Sequence, residues 1–256
     1  MKISVITVNY NNNEGLKQTI KSVLEQRYDD YEYIVIDGDS NDGSLETLNS
    51  IDGEITVISE RDHGIYEAMN KGVRLARGEY CIFMNSGDVF KDEYVLCNVS
   101  NELIFDIIVG IGQWGETNKM IFPPEEKELS ICYFIKSALH HQSAFIKREL
   151  LLKCPYDETY KIASDSIFFF KSLIINNCSY KSIDVIVAIA ETAGVSCNLD
   201  KSLNERYQGI KDSLPPRFKY DIDFLKLYYV PFHKYISVFK YIKKIVNKLR
   251  KIKKRI

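Results

Sequence analysis

The sequence predicts an α/β fold with a mostly parallel, Rossmann-like sheet flanked by helices, and three observations point there. Short apolar runs recur along residues 1–88, helical apolar patterns separate them, and every run ends in a polar loop. A strand buried on both faces reads as a continuous apolar run, and strands that alternate with helices build parallel sheets. The loops then open together at the carboxyl edge, where open α/β sheets bind ligands.

The first run, residues 3–8, ends in Asn9-Tyr10-Asn11-Asn12-Asn13. Leu16, Ile20, Val23 and Leu24 follow at helical spacing. Residues 33–36 form the second run, ending in Asp37-Gly38-Asp39-Ser40-Asn41-Asp42-Gly43, and residues 55–58 the third, ending in Glu60-Arg61-Asp62-His63-Gly64. A helix with Ile65, Met69, Val73 and Ala76 on one face comes next, and Gly78 reads as its C-terminal stop. The fourth run begins at Tyr80 and closes in Asn85-Ser86-Gly87-Asp88. Those four residues are ordinary turn chemistry, yet an acid at that edge can also hold a metal against a phosphorylated substrate. Three similar loops beside it favour the site.

The chain's 256 residues suit one large domain with a well-buried core and a short appendage. No apolar run approaches the roughly 20 residues that span a bilayer. The N-terminus enters a strand at once, without the apolar segment of a secretory signal, so a cytoplasmic protein is expected. Six scattered cysteines contain no CxxC pair or Cys/His cluster, which argues against zinc and redox chemistry. Repeats of solenoid length are absent.

Several motifs occur in order: ISVITVNYN at 3–11, VIDGDSNDGS at 35–44, SERDHGIYEAMNKGVRLARGEYCIFMNSGD at 59–88, HHQSAFIKRELL at 140–151 and YDETYKIASDSIFFFK at 156–171. Gly194-Val195-Ser196 closes the span. Together they resemble the family-2 inverting glycosyltransferases of GT-A fold that build bacterial surface polysaccharides. The resemblance covers residues 1–196, with a nucleotide-binding half at 1–115 and an acceptor and catalytic half at 116–196. Residues 197–256 form a C-terminal helical extension.

The resemblance implies a role for each loop. Thr7, Asn9 and Tyr10 would cradle the base and ribose of a nucleotide-sugar donor, although each reads equally as a polar strand end with Tyr10 as packing. Asp37 would accept a hydrogen bond from a uracil imide, which points to a UDP-linked sugar. Asp39 stands where the family carries a small residue and reads as a turn residue. Asp62 would help hold the nucleotide, and Arg61 either meets a phosphate or pairs with surface carboxylates. Asn85 and Ser86 would contact the donor, and Asp88 would bind Mn²⁺ or Mg²⁺. Asn85 replaces the first acid of the family's Asp-x-Asp motif, so the ion would bind weakly without the donor. His141 and Gln142 would lie near the active site, with a structural histidine the competing reading; His140 reads as a bystander.

Asp165 matches the family's general base. Ser164-Asp165 before Ile167, Phe168 and Phe170 places it in the first turn of a helix capped by Ser164, where the dipole favours the carboxylate. An acceptor, saccharide or lipid-linked saccharide, would then be glycosylated with inversion. A nucleotidyltransferase would open with a Gly-rich loop and a basic residue where this chain has Asn9-Tyr10-Asn11-Asn12-Asn13. A non-catalytic nucleotide-binding protein would not be expected to keep Asp37, Asp88 and Asp165.

Charge is unevenly spread. Residues 224–256 hold eleven Lys or Arg and no acid, leaving 23 bases against 35 acids, or -12, on residues 1–223. Within 238–256, Val238, Ile242, Ile245, Val246, Leu249 and Ile252 share a helical face opposite the basic residues. Such a helix is expected on an anionic membrane surface, which would make the protein peripheral on the inner face of the cell membrane; the competing readings are a helix packed on the protein's own acidic body and a solvated tail. A terminal basic stretch on an acidic body does not suit nucleic acid.

Overall fold

The structure, a computed structural model, describes residues 1–51, 53–191 and 199–229. Strands β1 (Ile3–Asn9), β2 (Tyr31–Asp37), β3 (Ile55–Ser59) and β4 (Tyr80–Phe83) run parallel, with β1 between β2 and β4. Helices α1 (Asn13–Leu24), α2 (Ser44–Asn49) and α3 (Ile65–Leu75) make the crossovers. Every residue of β1 and β4 is buried, so these runs need no alternation. The fold class agrees with expectation.

The second half adds β5 (Val89–Phe90), α4 (Val95–Ser100), β6 (Ile107–Trp114), β7 (Met120–Ile121), α5 (Ile131–Lys136), β8 (Ala144–Lys147), α6 (Arg148–Lys153), α7 (Ser164–Phe170), β9 (Tyr180–Ala190) and α8 (Leu199–Ser213). The sheet order is β3-β2-β1-β4-β8-β6-β9-β5, with β7 beside β6. Here the sheet turns mixed: β8 is antiparallel to both β4 and β6, whereas β9 is parallel to β6. The parallel expectation therefore describes β1 to β4 best.

Local sequence explains the main elements and corrects some readings. Asn12 caps α1 by accepting from the Gly15 N–H at 3.1 Å, and Leu16, Thr19, Ile20 and Val23 form its buried face. Leu24 and Ile65, expected on apolar faces, are instead exposed at their helix ends. Gly78 does not stop α3, which ends at Leu75. A Cβ at Gly78 would lie 2.6 Å from the Ser4 backbone nitrogen, so this glycine is required by the close approach of the chain to β1. Gly72 serves likewise: a Cβ there would meet Ile6 Cγ2 at 2.4 Å.

One compact unit runs Met1–Ser213 and therefore includes α8, which the sequence reading assigns to the extension. Arg206 of α8 is buried and donates to the Ile135 carbonyl at 3.3 Å. Gly209 lies against α7, where a Cβ would meet Ile167 Cδ1 at 2.2 Å. The second unit, Leu214–Ile256, contains a 3₁₀ turn at Pro216–Phe218 and α9 (Lys219–Tyr229). The basic amphipathic stretch at 238–256 and Gly194-Val195-Ser196 lie outside the described residues. Among the described residues no helix is long and apolar enough to cross a membrane.

Candidate active site

The carboxyl ends of β1, β2 and β3 meet at Asp37. Its side chain is fully buried and accepts four hydrogen bonds: from Asn9 Nδ2 at 2.7 Å and Ser40 Oγ at 2.6 Å on Oδ1, and from the Ser40 backbone N–H at 3.0 Å and Ser59 Oγ at 2.8 Å on Oδ2. A carboxylate offers about four lone-pair sites, so none is left for a uracil imide. Burial pushes this carboxyl up, but the donors from Ser40, Asn9 and Ser59 outweigh it and hold the group below its ordinary value. In this arrangement Asp37 organises the loops from beneath. Thr7 is also fully buried, bonded to the Tyr33 hydroxyl at 3.0 Å, and supports the floor rather than facing a ligand. Asn9 is buried too, its Nδ2 donating to Asp37 and Ser40 while its Oδ1 has no partner.

What faces outward above this floor is Tyr10, 69% exposed. A Cβ at Gly38 would sit 3.1 Å from the Tyr10 ring and 3.6 Å from Asp62 Oδ2, so the absence of a side chain there leaves Tyr10 and Asp62 facing one space. Asp62 Oδ1 is held by Lys71, which also binds Glu60 at 2.8 Å. Burial raises the Asp62 carboxyl, with the Lys71 bond pulling against it. Arg61 is exposed nearby, and among the described residues it pairs with no carboxylate.

Beyond β4 the chain turns through Asn85-Ser86-Gly87-Asp88, with Gly87 at φ 101°, which only glycine adopts freely. Thr19 of α1 holds this turn. Its hydroxyl accepts from the Gly87 N–H at 3.0 Å and donates to the Asp88 carbonyl at 2.7 Å. Ser86 is partly exposed, its carbonyl accepting from Asn12 at 3.0 Å. Asn85 Oδ1 is buried without a partner.

Asp88 is 4% exposed and accepts from the Glu191 N–H at 3.0 Å and from the Gln142 side chain. Burial drives its carboxyl up to about 6 despite those bonds and the nearby His141. No Lys or Arg pairs with it among the described residues, nor do three or more His, Cys, Asp or Glu there form a ready metal cluster. A buried carboxylate short of positive charge, alone among oxygens, fits a hard divalent ion that keeps phosphate and water as its other ligands.

His141 links this carboxylate to the catalytic candidate. Its Nδ1 lies 2.9 Å from Asp165 Oδ2, and its Nε2 lies 3.4 Å from Asn85 Nδ2. Burial pulls the imidazole down, but Asp165 and then Asp88 bring it above its ordinary value. Asp165 is raised by burial and lowered more strongly by His141, the Ser166 N–H and the Tyr66 hydroxyl, so it stays ionised. His140, by contrast, bonds Ser143 Oγ at 2.9 Å, packs edge-on to Trp114 and is held down at about 3 by burial, an uncharged structural group.

Asp165 does occupy the first turn of α7, yet Ser164 is not its cap. Its Oγ is buried without a partner, no side chain caps the helix, and Glu205 of α8 instead holds the loop that leads into it. Glu205 Oε2 accepts the N–H groups of Lys161, Ile162 and Ala163 at 3.0, 2.7 and 3.3 Å. Sequence reasoning also missed Thr19, Ser40, Ser59 and Tyr66. Thr19 carried a signal, a polar residue on an otherwise apolar helix face; the others carried none.

The sheet, with Asp88, His141 and Asp165 gathered at its edge, has the GT-A fold of glycosyltransferases. The profile of "Glycosyl transferase family 2" matches residues 4–174, and the chain belongs to that family. It is 30% identical over 213 residues to the uncharacterized glycosyltransferase Rv1514c of Mycobacterium tuberculosis, covering 78% of this chain and 79% of that one. It is 36% identical over 95 residues to the putative teichuronic acid biosynthesis glycosyltransferase TuaG of Bacillus subtilis, across 36% of this chain and 38% of that one. Among solved structures, S. aureus TarS 1-349 in complex with UDP-GlcNAc superposes with a TM-score of 0.67 at 18% identity, covering 92% of this chain and 73% of that one.

Proposed function

We propose that this enzyme transfers a sugar, with inversion, from a UDP-linked donor to a saccharide or lipid-linked saccharide acceptor in bacterial surface-polysaccharide synthesis. The observation that carries the reading is the row Asp88, His141, Asp165 along the edge beside Tyr10 and Asp62. Tyr10 stacks on the base, and Asp62 Oδ2 accepts the ring N–H. Asn85 and Ser86 contact the donor's ribose and sugar, and Arg61 approaches its phosphates. TuaG's role in teichuronic acid synthesis and the UDP-GlcNAc held by TarS support the donor and acceptor classes.

Asp88 would hold Mn²⁺ or Mg²⁺ against the donor diphosphate. Such an ion, when bound, neutralises charge on the departing group. Asp165 takes the proton of the acceptor hydroxyl as that oxygen bonds to the anomeric carbon. The bond from that carbon to the diphosphate oxygen breaks in the same displacement, and its electron pair leaves with the nucleoside diphosphate. One displacement inverts the centre, so no enzyme nucleophile is required.

A thermal-shift panel of UDP-, GDP- and CDP-sugars, with and without Mn²⁺, tests the donor. Ligands that bind only the folded state raise its apparent stability. A UDP-sugar should stabilise the protein in a metal-dependent way, and a response to GDP-sugars alone would remove the uracil assignment.

A further inference from the structure

We propose that Tyr66 is a positioning residue for the general base, its hydroxyl fixing the plane and aim of the Asp165 carboxylate from the first turn of α3. This inference rests on the reading of Asp165 as that base. Tyr66 is 5% exposed, and its hydroxyl donates to Asp165 Oδ1 at 3.0 Å while His141 holds the other oxygen, Oδ2, at 2.9 Å. Two donors from different elements, one on each oxygen, leave the side chain a single orientation. That matters because a reacting group displaced by about 1 Å can cost on the order of 10²-fold in rate.

The surroundings explain why a tyrosine stands here. Its ring packs 5.5 Å from that of Tyr156, which in turn packs on Phe83 at 5.5 Å and Phe168 at 5.4 Å. A phenylalanine would fill this aromatic cluster equally well and bury no hydroxyl. A buried hydroxyl costs free energy unless it is bonded, and the partner of this one is Asp165. The cluster fixes the ring, the ring fixes the hydroxyl, and the hydroxyl fixes the base.

The test uses the full chain with Tyr66→Phe, Asp165→Asn and the double variant. One readout is the carboxyl titration of Asp165 followed by carbon-13 NMR without ligand. The groups that face this carboxylate are His141, Tyr66, Tyr156, His140 and, from α8, Arg206, and only the Tyr66 hydroxyl changes in the first variant. The second readout is UDP release from the UDP-sugar that gives the largest metal-dependent thermal shift. Tyr66→Phe should keep that thermal shift, move the Asp165 midpoint to higher pH, and slow UDP release about tenfold, as loss of a hydrogen bond to a charged group predicts. In the Asp165→Asn background, Tyr66→Phe should add nothing.

An unmoved midpoint, or an equal loss of rate in both backgrounds, would overturn the positioning role while leaving Asp165 as base. Native release by Asp165→Asn would overturn the base and the positioning role together. Should Tyr66→Phe not fold, 2,3-difluorotyrosine placed at residue 66 alone supplies a stronger donor, and the Asp165 midpoint must then move to lower pH.

Discussion

Asp88 and Asp165 are both buried acids at one edge, yet their surroundings push them in opposite directions. Asp165 has His141 and Tyr66 as donors and stays ionised. Asp88 is buried with amide donors and no Lys or Arg beside it among the described residues, and although His141 pulls against the rise its carboxyl goes up to about 6. That folded value lies above the 3.8 of an unperturbed aspartate. The ionised group therefore costs stability above pH 6, and the cost disappears as pH falls below the unfolded value. Asp88→Asn should then raise the neutral-pH stability of the free protein by up to about 3 kcal/mol, measured by urea unfolding, while abolishing the metal-dependent donor shift. Asp165→Asn should do the reverse. Turnover should fall by at least about 10²-fold with donor binding retained, because only the proton acceptor is lost. Near-native turnover would send the search for a base to Glu158, Asp157 or His141.

At the scale of elements, helix α7, which carries Asp165, is held by α8 as much as by its own sequence. Glu205 takes three backbone N–H groups just before α7, where no local side chain is available to do so. Glu205→Ala leaves those donors without a protein partner and should cost about 2 kcal/mol in thermal or urea unfolding. Turnover should drop with it, since Asp165 is carried by the turn that loosens. Donor binding should hold, because Tyr10, Asp62 and Asp88 stand on other elements. A parallel loss of donor affinity would mean that α8 braces the nucleotide half as well. The strands β5, β7 and β9 were not legible beforehand for a related reason: two are only two residues long, and β9 lies partly exposed along its length.

At the scale of the whole molecule, the charge is divided between an acidic body and a basic C-terminal stretch. We propose that residues 238–256 hold the enzyme at an anionic membrane, where a lipid-linked acceptor would be presented, each basic residue contributing about 1 kcal/mol near the surface. Deleting 239–256 should leave a folded enzyme that no longer sediments with vesicles of anionic lipid and still transfers to a soluble acceptor. Equal sedimentation of the two forms would remove the anchor.

The sequence by itself determined the parallel half of the sheet, the four loops at its edge, the family and the placing of Asp88 and Asp165, because each rests on local pattern and spacing. Tertiary structure alone decided how those acids are used. Asp37 and Asp165 are both acids at one end of an apolar run in the sequence, but four donors drawn from β1, β3 and the loop after β2 hold the first within the floor of the loops. Tyr66 lies 99 residues from Asp165 along the chain and meets it only when α3 and α7 converge. Hydrogen bonds between distant segments leave no period in a sequence, and a carboxylate's role is set by which of its lone pairs the fold leaves free.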